Sequence, residues 1–248
     1  MGAAATAAGH EMPWPVLAVG ALICAGAALA PDLDHKSATI SRAFGPLSRI
    51  LCGFIDKLSA SVYKATKKRG DPRRSGGHRT LTHTWVWAVL IGAGFSALAV
   101  LGGRWAVLGI LFVHMVLAIE GLLWRAARVS SDVLVWLLGA TSAWILAAIL
   151  DEPGNGAGWL FTEPGQEYLW LGLPIVLGAL VHDIGDALTV SGCPVLWPIP
   201  VGRRRWYPIG PPGFMRFRAG SWIELKILMP FFMLAGAAGG LTAMGVIG

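Results

Sequence analysis

Apolar residues run almost without interruption through six stretches of this chain, and the polar residues gather between them. About 20 consecutive apolar residues are enough to cross a bilayer as a helix. The pattern therefore predicts an all-α fold, a polytopic membrane helical bundle that forms a single integral membrane domain over residues 1–248. The predicted spans lie at about residues 14–30, 85–101, 107–123, 133–150, 168–188 and 222–247.

A different periodicity appears in the long segment between the first two spans. Residues 46–65 place apolar side chains three and four positions apart, which is the spacing of one helical face. We expect an amphipathic helix on the inner membrane surface, within a long cytoplasmic loop. Its apolar residues are Leu47, Ile50, Leu51, Phe54, Ile55, Leu58 and Val62.

Composition supports a membrane protein. The chain of 248 residues is 55% hydrophobic and 14% charged, whereas soluble domains carry roughly 25% charged residues. The first thirty residues resemble a signal peptide but begin without Lys or Arg, so we expect a retained first helix. The three cysteines are widely spaced, with no CxxC pair, and indicate neither a disulfide framework nor a thiolate zinc site.

The net charge of +6 is distributed unevenly along the chain. Nineteen of the 20 Lys and Arg residues fall on one side of the predicted bundle, chiefly in the loops 31–84 and 189–221. Basic loops remain in the cytoplasm, so these two loops are predicted to be cytoplasmic. Membrane orientation explains the charge, and no nucleic-acid partner is expected. The basic run at 64–69 is interpreted either as an attraction to anionic lipid or as a plain topology-setting loop.

Three polar clusters stand at the ends of apolar runs, and the predicted topology brings all three to the cytoplasmic membrane face. Histidine and carboxylate side chains are the usual ligands of zinc and related metals. The clusters therefore predict a metal site. Its seven candidate ligands are Asp32, Asp34, His35, His78, His83, His182 and Asp186.

The spacing within each cluster favours coordination to a different degree. His182 and Asp186 are four residues apart on one helical face and can reach one ion, with Asp183 close by. Pro31 is expected to end the first helix and leave an extended chain, from which Asp32 and Asp34 project to the same side. His78 is placed on the loop and His83 in the first helical turn, with neighbouring threonines as caps or as residues that orient the ligands.

Seven candidate ligands exceed the three protein ligands that a catalytic zinc needs beside water. The excess fits a two-metal site, or one metal with carboxylates left over as a general base, and spacing alone does not separate the two. Asp34 or Asp183 is the candidate general base. Arg79 is the candidate clamp for a substrate anion, and a plain inside-positive charge is the competing interpretation.

With these residues, the chain resembles the YdjM-type family of LexA-regulated, inner-membrane, predicted metal-dependent hydrolases. The matching motifs are PDLDH after the first span, HRTLTH before the second and HDIGD near the end of the fifth, followed by a VLWPI strip. The resemblance implies a bacterial inner-membrane location and a metal-dependent hydrolase. The chain departs from the family pattern in having only His10 before its first span and in having Asp183 where an apolar residue is common.

The leading hypothesis is a membrane hydrolase whose one or two divalent ions, zinc foremost, activate water at the cytoplasmic surface for attack on a phosphoester or lipid. A metal-ion transporter or sensor is the alternative, although transporter sites usually lie near the bilayer midplane. A third hypothesis is a non-catalytic scaffold whose metal fastens the helix ends together. The lipid bilayer is the expected partner, and the oligomeric state is left open.

Overall fold

The computed structural model describes residues 13–73, 77–123, 132–151 and 168–243. Over these residues the protein is helical, and outside the helices only isolated β-bridges occur. Among the described residues, four helical segments are long and apolar enough to cross a membrane, namely Trp14–Asp34, Trp85–Leu122, Asp132–Asp151 and Leu169–Ala187. The predicted all-α membrane bundle is therefore confirmed at this level.

Helix α1 (Trp14–Ala27) begins beside two prolines, at a position where a missing backbone N–H costs nothing. It leads into a 3₁₀ helix over Ala30–Asp34. The extended chain predicted after Pro31 is thus wrong. A 3₁₀ helix has three residues per turn, so Asp32 and Asp34 leave the backbone in different directions rather than on one side.

Helix α2 (Ile40–Ala43) and helix α3 (Pro46–Thr66) follow. The amphipathic helix predicted at 46–65 is confirmed as a helix. It packs against the 3₁₀ helix at Ala30–Asp34 and against a second 3₁₀ helix at Leu81–His83, just before the second predicted span. Its bundle-facing side carries small and polar residues, among them Ser48, Cys52 and Ser59. Its outer side presents the large apolar residues Leu47, Ile50, Leu51 and Phe54.

Helix α4 (Trp85–Leu123) covers both the second and the third predicted spans, and Gly103 interrupts it with a non-helical backbone (φ 56°, ψ −147°). The ring centroids of Phe95 and His114 lie only 5.3 Å apart. In a straight helix their backbones would be roughly 28 Å apart. The chain therefore reverses at Gly103, and residues 85–102 and 104–123 lie side by side.

The rest of the chain supplies helix α5 (Asp132–Asp151), a 3₁₀ helix at Leu169–Leu171, helix α6 (Gly172–Ala187) and a 3₁₀ helix at Gly213–Met215. The sixth predicted span is a π-helix at Glu224–Leu228 that continues as helix α7 (Met229–Ala243). It is not among the four candidate spans, and the end of its predicted range lies outside the described residues.

Helix α1 packs closely on two neighbouring helices, α4 and α6. A Cβ added at Gly26 would lie 2.1 Å from the carbonyl oxygen of His114, and one at Gly178 would lie 2.3 Å from that of Cys24. Glycine is needed at both points because the backbones touch there. This packing brings the end of α1, the start of α4 and the end of α6 to the same end of the bundle.

Candidate metal centre

Four donor atoms from three distant segments meet at that end of the bundle. The Nε2 atoms of His83 and His182 each lie 3.6 Å from Oδ1 of Asp32. Oδ2 of Asp186 lies 3.3 Å from His83 Nε2 and 3.8 Å from His182 Nε2. The donor atoms of Asp32, His83 and His182 all fall within 4.8 Å of one another, close enough to hold one metal ion.

Three of these atoms are buried and have no hydrogen-bond partner among the described residues, namely Nε2 of His83, Nε2 of His182 and Oδ2 of Asp186. A buried polar atom left unpaired costs about 1–3 kcal/mol. Three such atoms aimed at one point require a partner, and a cation satisfies all of them at once. The donor set of two imidazoles and two carboxylates suits a divalent metal such as zinc.

The orientation of His83 is set from behind by Thr82 and Asp34. The Thr82 hydroxyl donates to Oδ2 of Asp34 at 2.6 Å and lies 2.9 Å from Nδ1 of His83. Because the only hydrogen of the hydroxyl is donated to the carboxylate, its oxygen must accept a hydrogen bond from Nδ1–H of His83. In the neutral imidazole the proton therefore lies on Nδ1, which leaves the Nε2 lone pair for the site, as in a metal-binding histidine.

Charge at the site attracts cations strongly. Burial by itself lowers the pKa of His83, but the carboxylates of Asp186, Asp32, Asp34 and Asp183 outweigh burial and raise the pKa from 6.5 to about 9. The carboxylates that favour a second proton on this imidazole favour a metal ion in its place.

Arg79 binds the carboxylate of Asp186, the fourth donor residue. Its Nη2 donates to Oδ1 of Asp186 at 2.8 Å, and its Nη1 donates to the hydroxyl of Thr189 at 3.1 Å. This pairing leaves only Oδ2 of Asp186 for an ion. Arg79 also has a left-handed backbone (φ 55°), which is uncommon for a residue other than glycine. The guanidinium predicted to clamp a substrate anion is thus in contact with a protein carboxylate.

The remaining candidate ligands lie outside this group of donor atoms. His78 Nδ1 donates to Oδ1 of Asp34 at 2.9 Å, so both oxygens of that carboxylate are engaged. His35 is exposed, and its ring lies 4.5 Å from the His78 ring. The structure thus brings Asp32, His83, His182 and Asp186 together, with Asp34 and His78 behind them and His35 at the surface.

Asp183 faces the interior of the protein. Its side chain is completely buried, and neither carboxylate oxygen has a hydrogen-bond partner within the described part of the chain. His83, Asp186, Asp32 and Asp34 are near enough to act on its charge. Asp183 is therefore a carboxylate beside the donor group whose oxygens are not committed.

A known protein family matches nearly the whole length of the chain. The model of a family described as YdjM inner membrane protein matches residues 1–246. The chain belongs to this family. No curated protein and no solved structure is significantly similar to it.

In this family member, two residues of the 189–221 loop support the site, and sequence reasoning missed both. Thr189 accepts from Arg79, and the thiol of Cys193 donates to the carbonyl oxygen of His83 at 3.2 Å. Val195, in the VLWPI strip, accepts from the Trp85 amide at 3.0 Å and anchors the start of α4. The only sequence signal for this loop was the VLWPI strip of the family pattern. It indicated that the segment matters, but it did not predict the contacts of Thr189 and Cys193.

Proposed function

We propose that this protein is a membrane-embedded, metal-dependent hydrolase that acts on a phosphoester, with a lipid as the substrate class. The observation that carries the proposal is the convergence of three unpartnered buried donor atoms, on His83, His182 and Asp186, beside the Asp32 carboxylate. Membership of an inner-membrane family and helices able to cross a bilayer support a site at the membrane.

Asp32, His83, His182 and Asp186 would hold the ion. A divalent metal such as zinc supplies a Lewis acid that makes water nucleophilic near neutral pH. Asp32 is the most exposed of the four, with 32% of its side chain accessible, so its side of the site is the most accessible. A substrate and its water would approach from that side.

The protein residues around the ion have distinct tasks in this proposal. Asp183 is the better candidate for the general base, because its oxygens are uncommitted whereas both oxygens of Asp34 are engaged. Asp34 orients His83 through Thr82. Arg79 orients Asp186 and could still turn towards a substrate anion, since about 16% of its side chain is accessible.

The proposal includes six membrane crossings with the metal site on the cytoplasmic side. The reversal at Gly103 supports separate second and third crossings. The concentration of Lys and Arg in the loops at the metal-site end supports a cytoplasmic location for that end.

A metal-fastened scaffold is the second candidate, and one observation favours it. Four protein donors are enough to saturate a tetrahedral zinc ion and would leave no position for substrate. Transport fits less well, because the donors lie at helix ends rather than near the middle of the bundle.

The test combines metal analysis with hydrolysis. We expect purified wild-type protein to carry about one zinc ion per chain and to cleave a chromogenic phosphodiester, and His182→Ala to lose both properties. Metal bound by the wild type without turnover of phosphodiesters or phospholipids would favour the scaffold. A wild type that binds no divalent metal would overturn the proposal.

His35→Ala is the matched control. It removes an imidazole from the same end of the bundle, but one that is exposed and outside the donor group. We expect it to retain the metal. Loss of metal from His35→Ala to the same degree as from His182→Ala would contradict the ligand assignment.

A further inference from the structure

Two basic segments far apart in the sequence lie together at the metal-site end of the molecule. One is the turn after α3, with Lys67, Lys68 and Arg69, and the other is the Arg203–Arg204–Arg205 stretch. A Cβ added at Gly70 would lie 3.0 Å from the carbonyl oxygen of Arg203, so the two backbones are in contact. Topology-setting charges need no such meeting, because orientation depends only on the loop in which they occur.

Specific contacts fasten the two segments. Oδ1 of Asp71 accepts from the backbone amides of Arg205 and Trp206 at 2.8 and 2.9 Å, and Oδ2 accepts from the Lys68 amide at 2.6 Å. The Trp206 indole donates to the Thr66 hydroxyl at 3.1 Å. The fully packed Trp206 ring stacks on Trp197 at 4.9 Å. The segments are therefore held in a fixed arrangement.

Within the described part of the chain, the side-chain cations of these two segments form no ion pair with a carboxylate, and the Asp71 carboxylate between them is bound to backbone amides. We define the basic surface as the exposed side chains of Lys64, Lys67, Lys68, Arg69, Arg203 and Arg204. Among the described residues, the only Lys or Arg side chains in ion pairs with carboxylates are Arg79 and Arg104, neither of which belongs to the basic surface. Gathering like charges costs free energy in the isolated protein, and an anionic partner offsets that cost.

The surroundings of the basic surface indicate which anion it meets. Val201 and Tyr207, which flank its arginines, are 45% and 41% exposed. On the α3 side, Phe54 is 61% exposed, on the helix that ends in Lys64 and the basic turn. Exposed apolar side chains beside basic ones suit the boundary between headgroups and acyl chains, whereas a nucleic acid offers no apolar phase.

We propose that the basic surface binds the headgroups of anionic phospholipids in the leaflet that surrounds the metal-site end of the bundle. The apolar residues of α3 and of the 201–207 loop enter the acyl boundary, and the Lys and Arg side chains reach up to the phosphates. This inference is independent of the proposed function, since it needs neither a metal nor turnover.

Native mass spectrometry of the detergent-solubilised full chain, kept in a chelator to remove metal, tests the proposal. The probes are dioleoyl phosphatidylglycerol and dioleoyl phosphatidylcholine. We expect the wild type to retain phosphatidylglycerol preferentially. Lys67→Gln with Arg203→Gln, one change in each segment, should weaken that binding by roughly tenfold or more, given the usual attraction of each basic side chain to an anionic surface.

Two further double variants serve as controls. Lys67→Arg with Arg203→Lys preserves the charge and should bind as the wild type does, which separates charge from folding. Arg42→Gln with Arg49→Gln removes two exposed charges before and near the start of α3 and should retain most of the binding.

Three results would overturn the proposal. Equal retention of both lipids by the wild type would remove the anionic preference. An equal loss in the Arg42 and Arg49 variant would show that the whole basic face, and not this surface, attracts lipid. Tighter binding of an oligothymidylate than of phosphatidylglycerol at equal phosphate concentration would assign the surface to nucleic acid.

Discussion

Two inner histidines, His83 and His182, differ sharply from two outer ones, His35 and His78, although the four rings form one row. Successive ring centroids are 4.5, 5.4 and 5.4 Å apart. The Nε2 atom of each inner ring has no hydrogen-bond partner in the part of the chain that the structure describes. In the outer pair, Nδ1 of His78 bonds to Asp34 and Nδ1 of His35 is 3.0 Å from the Ser37 hydroxyl.

The difference shows that the residues of one sequence motif do not share one structural role. In the PDLDH motif, Asp32 belongs to the donor group, whereas Asp34 supports His83 through Thr82. In the HRTLTH motif, His83 belongs to the donor group, whereas His78 is hydrogen-bonded to Asp34. Within the described part of the chain, the two inner histidines are distinguished from the outer pair by a buried Nε2 that the protein leaves without a hydrogen bond. Residue type and proximity in the sequence do not make that distinction.

Removal of an inner imidazole should have the largest effect. We expect His83→Gln to reduce bound zinc from about one ion per chain to background. His114→Gln is the control, because His114 is also buried but its Nδ1 bonds to the carbonyl oxygen of Ile110 within its own helix. Metal analysis by mass spectrometry measures both. The contrast between inner and other histidines fails if the two variants lose metal equally.

Removal of the cation behind Asp186 should come next. The Arg79–Asp186 pair is largely buried, so Arg79→Met leaves a carboxylate uncompensated and should destabilise the metal-free protein by about 3 kcal/mol. A bound metal supplies the missing charge, so zinc should raise the melting temperature of the variant more than that of the wild type. Arg79→Lys should restore much of the stability. An unchanged zinc effect in Arg79→Met would argue against Asp186 as a ligand.

Loss of the hydroxyl behind His83 should have a smaller effect on the metal. Thr82→Val removes the acceptor for Nδ1, frees the tautomer of His83 and should weaken zinc binding by about 10- to 100-fold. Thr82→Ser keeps the hydroxyl and should bind nearly as the wild type does. Competition with a zinc-sensitive dye measures the affinities, and equal affinities for Val and Ser would show that Thr82 does not orient the ligand.

A change at the opposite end of the bundle should alter stability and leave the metal unaffected. Gly103 has a backbone conformation that only glycine adopts readily, so Gly103→Ala should cost about 1–3 kcal/mol of folding free energy. Gly109→Ala lies in a regular helix with free space around its Cβ and should be neutral or slightly stabilising. Thermal unfolding compares them. Loss of zinc from Gly103→Ala would mean that the hairpin positions the site directly.

Periodicity and polarity were sufficient to predict the helical membrane bundle, the amphipathic helix and the location of the polar clusters at helix ends. These features depend on local properties, since a run of apolar residues specifies a span and a spacing of three and four specifies a face. The prediction that His182 and Asp186 share a face is consistent with their 3.8 Å separation, because residues four apart in a helix are neighbours.

The extended chain predicted after Pro31 was wrong because proline's fixed φ is also compatible with a 3₁₀ turn, and packing on α3 and Leu81–His83 favoured that turn here. Local spacing also could not divide the seven candidate ligands into donors and supports.

The sequence by itself determined that this chain is a helical membrane protein with imidazoles and carboxylates at one end of its bundle. Only the tertiary structure decided which of them face one another, because the Thr82–Asp34 and Arg79–Asp186 contacts join residues 48 and 107 positions apart. Such contacts determine which lone pairs are used within the protein and which are left for an ion, and they exist only after the helices have packed.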